Sequence, residues 1–255
     1  MPKQAIPTLS VDQVREVDLM MTRDYHIEMI QMMENAGRSL ACLARQMLEG
    51  DVLDRPIVVL AGRGNNGGGG FVAARHLHNW GAWVQVLCTH DAGAYGDAPA
   101  HQLTILQAID VPTSWADEGW ELPPCDLIID AIAGVGLRGS PHGRARDLIL
   151  LANSSLAPVL SLDGPSGLDL DGGNLYDPYV QATATMTLAL PKRGLLAESA
   201  GTARGDLYLA DVGVPQQLYE RLGIAVESLF SARAVIRIEV SEGIATISEN
   251  DPHLE

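Results

Sequence analysis

Three glycine-rich stretches hold most of the residues in this 255-residue sequence that could do chemistry. They are Gly62-Arg-Gly-Asn-Asn-Gly-Gly-Gly-Gly70, Asp130-Ala-Ile-Ala-Gly-Val-Gly-Leu-Arg-Gly139 and Leu162-Asp-Gly-Pro-Ser-Gly-Leu-Asp169. Glycine lets a backbone come close to a ligand. A helix opening behind the first stretch would turn free N–H groups and the positive end of its dipole toward a phosphate. No Gly-Lys-Ser/Thr follows, so the stretch is not the P-loop of nucleotide-hydrolysing proteins. Gly62, Gly64 and Gly67 satisfy G-x-G-x-x-G, and Asp91 follows the next apolar run, where a dinucleotide fold holds its ribose. A nicotinamide-dependent dehydrogenase is therefore one reading. Asn65 and Asn66 are not required by that motif and could serve only as turn or cap residues.

The other two stretches add carboxylates. Asp130 stands in the apolar run Asp126-Leu-Ile-Ile-Asp-Ala-Ile132, where a carboxylate must be paired, hydrogen-bonded or bound to a cation. Asp163 ends another apolar run, a place suited to acid/base work, although an aspartate there also forms turns. Ser166 follows Pro165, which fixes the local backbone. Lys192, in Leu190-Pro-Lys-Arg-Gly194, could bring a positive charge to phosphates or to Asp163. The seven histidines are scattered, and the sequence shows no Ser/His/Asp or Cys/His arrangement.

These residues need a scaffold, and the hydrophobic period supplies one. Ser10 and Gln13 fit a capping box, and residues 10–47 read as helical with a methionine-rich stripe (Met20, Met21, Met29, Met32, Met33) suited to core or to a partner. Short continuous apolar runs at 56–61, 83–88, 126–132, 158–162, 185–190 and 206–212 read as strands buried on both faces. Helices are expected at 71–80, 96–109 and 143–153, with 62–70 as a loop. Alternation of strand and helix predicts an α/β fold, a Rossmann-like three-layer αβα sandwich with a mostly parallel sheet. Ligands of such sheets sit beyond the carboxyl ends of the strands, where all three glycine-rich stretches fall. Residues 1–225 form the main unit. Residues 226–255 form an extension, with an edge strand at 235–240 and a frayed tail.

Composition sets outer bounds. Asp and Glu number 32 against 17 Lys and Arg, a formal charge of −15, which argues against a nucleic acid as partner. Cys42, Cys88 and Cys125 are far apart, which argues against a disulfide framework or zinc site and for a reducing, cytoplasmic compartment. No run approaches a membrane span.

Taken together, the motifs resemble the NAD(P)H-hydrate epimerase family, the YjeF N-terminal domain type. Its GNNGGDG is similar to Gly64-Asn-Asn-Gly-Gly-Gly-Gly70, its aspartate–glycine loop to residues 130–136, and its D-x-P-S-G to residues 163–167. Its MEnAG stands as Met33-Glu-Asn-Ala-Gly37, and its T-x-T strand with a following lysine as residues 185–194. The resemblance implies interconversion of the R and S forms of hydrated NADH and NADPH, through expulsion of the hydroxyl by the ring nitrogen or through ring opening. It implies that Asn66, Asp130 and Ser166 hold a potassium ion. It also implies that Asn65, Asn66, Gly67, Gly68 and Gly69, with Gly134, Val135, Gly136, Leu137, Arg138, Gly139, Ser140 and Asp163, bind the nucleotide. Asp163 is the expected acid/base, with Lys192 its electrostatic partner. Arg63 and Arg75 are candidates for a 2′-phosphate contact. A homodimer is expected, with the methionine-rich helices offering a face for it. The tail is too short for the dehydratase domain carried by many relatives, so a stand-alone epimerase module is expected. One departure stands out: Gly69 replaces the family's aspartate. A noncatalytic nucleotide-binding protein using the same pocket is the alternative.

Overall fold

The computed structural model describes residues 5–115 and 121–248. Ten strands form one sheet: β1 (Ala5–Ile6), β2 (Pro56–Ala61), β3 (Trp83–Cys88), β4 (Thr113–Trp115), β5 (Leu127–Ala131), β6 (Val159–Leu162), β7 (Ala184–Leu188), β8 (Asp206–Ala210), β9 (Val235–Ser241) and β10 (Ile244–Ile247). Their order is β1-β10-β9-β8-β7-β6-β5-β2-β3-β4. The seven strands from β8 to β4 are parallel, and β9, β10 and β1 extend them antiparallel. The chain runs outward from β2 to β4, returns to β5 on the other side of β2, and runs outward again to β8. That reversal puts a crevice at the carboxyl ends of β2 and β5.

Alternating side chains feed the two faces. Ile57, Val59, Ala61, Leu127 and Ile129 join one core with α2 (Met29–Met47), α3 (Asn65–Asn79) and α4 (Asp97–Ala108). Val58, Leu60 and Ile128 point the other way, onto α5 (Gly143–Ser154). Farther along that second face, α1 (Val11–Asp24) buries Val17, Met20 and Met21 against Leu207, Leu209, Ile236 and Ile238. The result is the expected three-layer α/β sandwich.

The structure departs from the sequence reading in four places. The segment 10–47 is two helices, not one. The Ser10–Gln13 capping box opens α1, and His26 at φ +55° turns the chain before Glu28 caps α2. The break lets α1 cross to the second face. The expected loop at 62–70 is helical from Asn65 onward, because packing overrides the poor helix propensity of four glycines. The strand at 235–240 is interior, flanked by β8 and β10, with two-residue β1 as the edge on that side. Glu242 and Gly243, both at positive φ, close the β9–β10 hairpin in the manner of a tight primed turn. Strands β1, β4 and β10 carry two to four residues each, too short for a periodic signal. The tail expected to fray lies, from residue 249, outside the described residues.

Of the two roles open to the methionine stripe, Met20, Met21, Met32 and Met33 take the core one: all four are buried, and Met32 and Met33 also line the cavity.

Close approach explains the glycines. A Cβ on Gly67 would lie 1.8 Å from the Gly62 carbonyl oxygen, and one on Gly62 1.8 Å from that of Ile132. The first turn of α3 thus rests directly on the backbone where β2 and β5 end. Gly67→Ala should cost about 3 kcal/mol or more in chemical denaturation. Gly64→Ala, with nothing within 4 Å of the added carbon, should change stability by less than about 1 kcal/mol.

Candidate active site

The carboxyl ends of β5 and β6 are tied by one carboxylate. Asp130 is fully buried and takes four hydrogen bonds. Its Oδ2 accepts from Ser161 Oγ (2.8 Å) and the Ser166 backbone N–H (2.9 Å). Its Oδ1 accepts from Ser166 Oγ (2.6 Å) and the Ile132 N–H (3.2 Å). Ser166 Oγ in turn accepts from the Ala133 N–H at 2.9 Å. Burial pushes the Asp130 carboxyl up, and the bonds from Ser166, Ser161 and Ile132 pull it back.

Above this knot sits a buried ion pair. Lys192 Nζ lies 2.5 Å from Asp163 Oδ1. It also donates to the Leu188 carbonyl (2.9 Å) and Thr187 Oγ1 (3.3 Å), so all three ammonium hydrogens have acceptors. Asp163 Oδ2 accepts from the Val135 N–H at 3.2 Å. Both oxygens retain acceptor capacity. Two left-handed residues shape the place: Asp163 at φ +67° leaves β6, and Ala189 at φ +64° leaves β7. Such conformations cost about 1–3 kcal/mol and concentrate at working sites. A parallel bridge between Leu9 and Lys192 fixes the lysine backbone and starts α1 beside it. Gly134 makes room for the acid, since a Cβ there would lie 2.5 Å from Asp163 Oδ2.

The pair lines a cavity of about 690 Å³ at the strand-order reversal, ample for a nucleotide portion. Of the sequence-predicted residues, Asn65, Asn66, all seven from Gly134 to Ser140, Asp163, Ser166 and Lys192 line it. Gly67, Gly68 and Gly69 do not. They are buried in α3, against Gly62, Met33 and Leu162 respectively. Asp130 lies behind the wall and is bonded to two residues that line the cavity, Ser166 and Ile132. Asp91 is bonded to Arg144 at 2.7 Å and does not line the cavity, which leaves the dehydrogenase reading without its ribose acid. Arg75 is clamped to Glu34 on α2, leaving Arg63 as the one of the two arginines at the cavity.

The residues assigned to potassium come together in part. Ser166 is bonded directly to Asp130, and the Asn66 amide nitrogen is buried without an acceptor among the described residues. Turned about its Cβ–Cγ bond, Asn66 would put an oxygen there. A buried carboxylate held only by neutral donors, with the Ser166 hydroxyl upon it, offers the oxygen chemistry that suits a hard monovalent cation. Among the described residues, no group of three or more His, Cys, Asp or Glu side chains could hold a metal ion.

Sequence reasoning missed three features. Asp18 on α1 lines the cavity, on the same helix face as Val14, Val17 and Met21. A carboxylate on an apolar stripe was the available signal. His90, His142 and Arg144 also line the cavity, joining Arg63, Arg138 and Lys192 that the sequence had offered, so a chain of charge −15 concentrates basic side chains there. Burial and then the charges of Arg63 and Arg144 hold His90 below the usual histidine range. Finally, α3 opens at the cavity with Gly64 as its cap and no side-chain bond to its first N–H groups.

Two outcomes follow from the electrostatics. Lys192→Met strands a buried carboxylate and should destabilise by about 3–5 kcal/mol, with Lys192→Met/Asp163→Asn costing less, as read by denaturation. Burial pushes Asp18 up to about 6, above its unfolded value of 3.8. Its folded form therefore holds a proton that the unfolded chain has lost. Stability from this group is full below pH 3.8 and is lost as pH rises through 6. The loss is at most about 2–3 kcal/mol and should vanish in Asp18→Asn.

Comparison with known proteins agrees with this anatomy. A crystal structure of yeast ynu0, YNL200c, superposes with a TM-score of 0.75 over 91% of this chain and 100% of that one, at 23% identity, and so shares the fold. The NAD(P)H-hydrate epimerase of Dehalogenimonas lykanthroporepellens is 36% identical over 94% of this chain and 96% of its own length. That of Truepera radiovictrix is 37% identical over 85% and 94%. A bifunctional NAD(P)H-hydrate repair enzyme of Moorella thermoacetica is 35% identical over 81% of this chain but only 40% of its own length. Residues 29–194, from the start of α2 through the Lys192 turn, match the family described as YjeF-related protein N-terminus, and the chain belongs to that family.

Proposed function

We propose that this protein is an isomerase that interconverts the R and S epimers of hydrated NADH and NADPH. The observation that carries the reading is the buried Asp163–Lys192 pair facing a nucleotide-sized cavity at the strand-order reversal. Full-length relatives named NAD(P)H-hydrate epimerase support it.

In the hydrated nicotinamide, the carbon bearing the hydroxyl is bonded to the ring nitrogen. The nitrogen lone pair expels the hydroxyl, which takes a proton and leaves as water. The resulting planar cation accepts water on the opposite face, and that water loses its proton. Asp163 accepts or returns the proton at its free oxygen positions, and Lys192 holds it in place. Positioned acid/base groups accelerate such steps about 10²–10⁴-fold. The 134–140 loop and the first turn of α3 hold the nucleotide, with the open N–H groups of α3 and the cationic cavity residues facing its phosphates. The apolar wall of Val14, Val17, Met29 and Met32 excludes water around the ring. Asn66, Asp130 and Ser166 would hold a potassium ion, offsetting the Asp130 charge and bracing α3 against the β6 turn. Three unpaired cysteines support a reducing, cytoplasmic setting.

The test is a chiral assay of R-epimer decay with each hydrated nucleotide, in potassium and in a buffer of a bulky organic cation. Asp163→Asn should lower kcat/KM at least 100-fold, and potassium should raise it. Binding without any acceleration by the wild-type protein would establish the noncatalytic alternative instead. Gly69 gives that alternative no support, because it faces Leu162 Cδ2 at 2.7 Å from a would-be Cβ rather than the cavity. Gly69→Asp should accordingly lose about 1–3 kcal/mol of stability and gain no activity, as read by thermal unfolding and the same assay.

A further inference from the structure

The cavity contains a second carboxylate that the proposed mechanism leaves unused. Asp18 projects from α1, which precedes the family-matched residues 29–194. Val14 and Val17 on the same helix line the cavity with it, as do Met29 and Met32 of α2. Its carboxyl takes part in no hydrogen bond or ion pair among the described residues. A charge placed so is costly unless it has work to do. The charged groups acting on it are Lys192 and Asp163, which reach it from the β7 and β6 ends.

We infer that Asp18 is the second proton-transfer residue of this site, paired with Asp163 across the substrate. The inference rests on the epimerase reading. Inversion at one carbon needs a proton given to the departing hydroxyl on one face and a proton taken from the arriving water on the other. One carboxyl cannot stand on both faces of a ring. Asp163 stands against the Lys192 ammonium, whereas Asp18, half-buried in the cavity wall, has no paired cation among the described residues and is pushed toward its protonated form by burial. In one direction the C–O bond breaks as Asp18 gives its proton, the ring-nitrogen lone pair forming the C=N bond. Water then adds to the opposite face and passes its proton to Asp163. The reverse direction swaps the roles, and solvent resets the protons. Two carboxyls in unlike surroundings, one against an ammonium ion and one without a paired cation, are the pattern expected of an acid and a base.

Burial pushes Asp18 up to about 6, with Lys192 opposing and Asp163 adding to the rise. The working form carries one proton on the pair, so kcat/KM should fall in both directions as pH rises through about 6. The experiment is the pH profile of kcat/KM in the chiral assay, from pH 5 to 9, for the wild type, Asp18→Asn and Asp18→Glu. Asp18→Asn should lose at least 100-fold in kcat, change KM less than threefold, and lose the ionisation near 6. Asp18→Glu should recover part of the rate together with that ionisation. NADH binding, followed by fluorescence, reports an intact pocket in each variant. Asp18→Asn retaining kcat within threefold, or retaining the ionisation, would overturn the assignment. A wild type with no activity would overturn the epimerase reading beneath it, which is a distinct result.

Discussion

The site is built around Asp130. Its two oxygens take four hydrogen bonds that gather the end of β5, Ser161 within β6 and the turn carrying Ser166. A buried carboxylate is tolerated only when its lone pairs are filled, and here every donor comes from a segment that must be held. Removing the carboxylate would leave hydroxyl and backbone donors buried without acceptors. Asp163 lies three residues before Ser166 and Val135 two after Ala133, so the knot determines where the acid and its loop stand.

A second constraint is volume. The first turn of α3 lies so close to the strand ends that Gly67 meets the Gly62 carbonyl. The Met33-Glu-Asn-Ala-Gly37 segment explains itself against that helix. Gly37 admits Val72, Glu34 clamps Arg75 and His76, and Asn35 donates to the Val212 carbonyl. Met33 fills the space over Gly68 and also lines the cavity. What reads as a motif for binding is largely a motif for holding two helices at a distance side chains would not allow.

Electrostatics then divides the cavity. Arg63, Arg138, Arg144 and Lys192 bring positive charge to a lining that also holds Asp18 and Asp163, within a chain that is strongly acidic as a whole. The cations suit phosphates and the apolar side chains an uncharged ring, while the two carboxyls stand in unlike surroundings, Asp163 against an ammonium ion and Asp18 pushed up by burial.

The layered α/β architecture, seven of the ten strands and the glycine-rich stretches after three of them were legible in the sequence. Continuous apolar runs and glycine clusters are local properties, and parallel sheets put ligands at strand ends whatever the details. Asp163, Ser166 and Lys192 were found because polar residues ending apolar runs are conspicuous. Asp18, the helical state of Gly67 through Gly70, the interior place of β9 and the burial of the methionines were decided only by tertiary structure. Each depends on what lies across a gap of a few ångströms from residues distant in the chain. Sequence periodicity records which face of an element is apolar, but not which other face it meets.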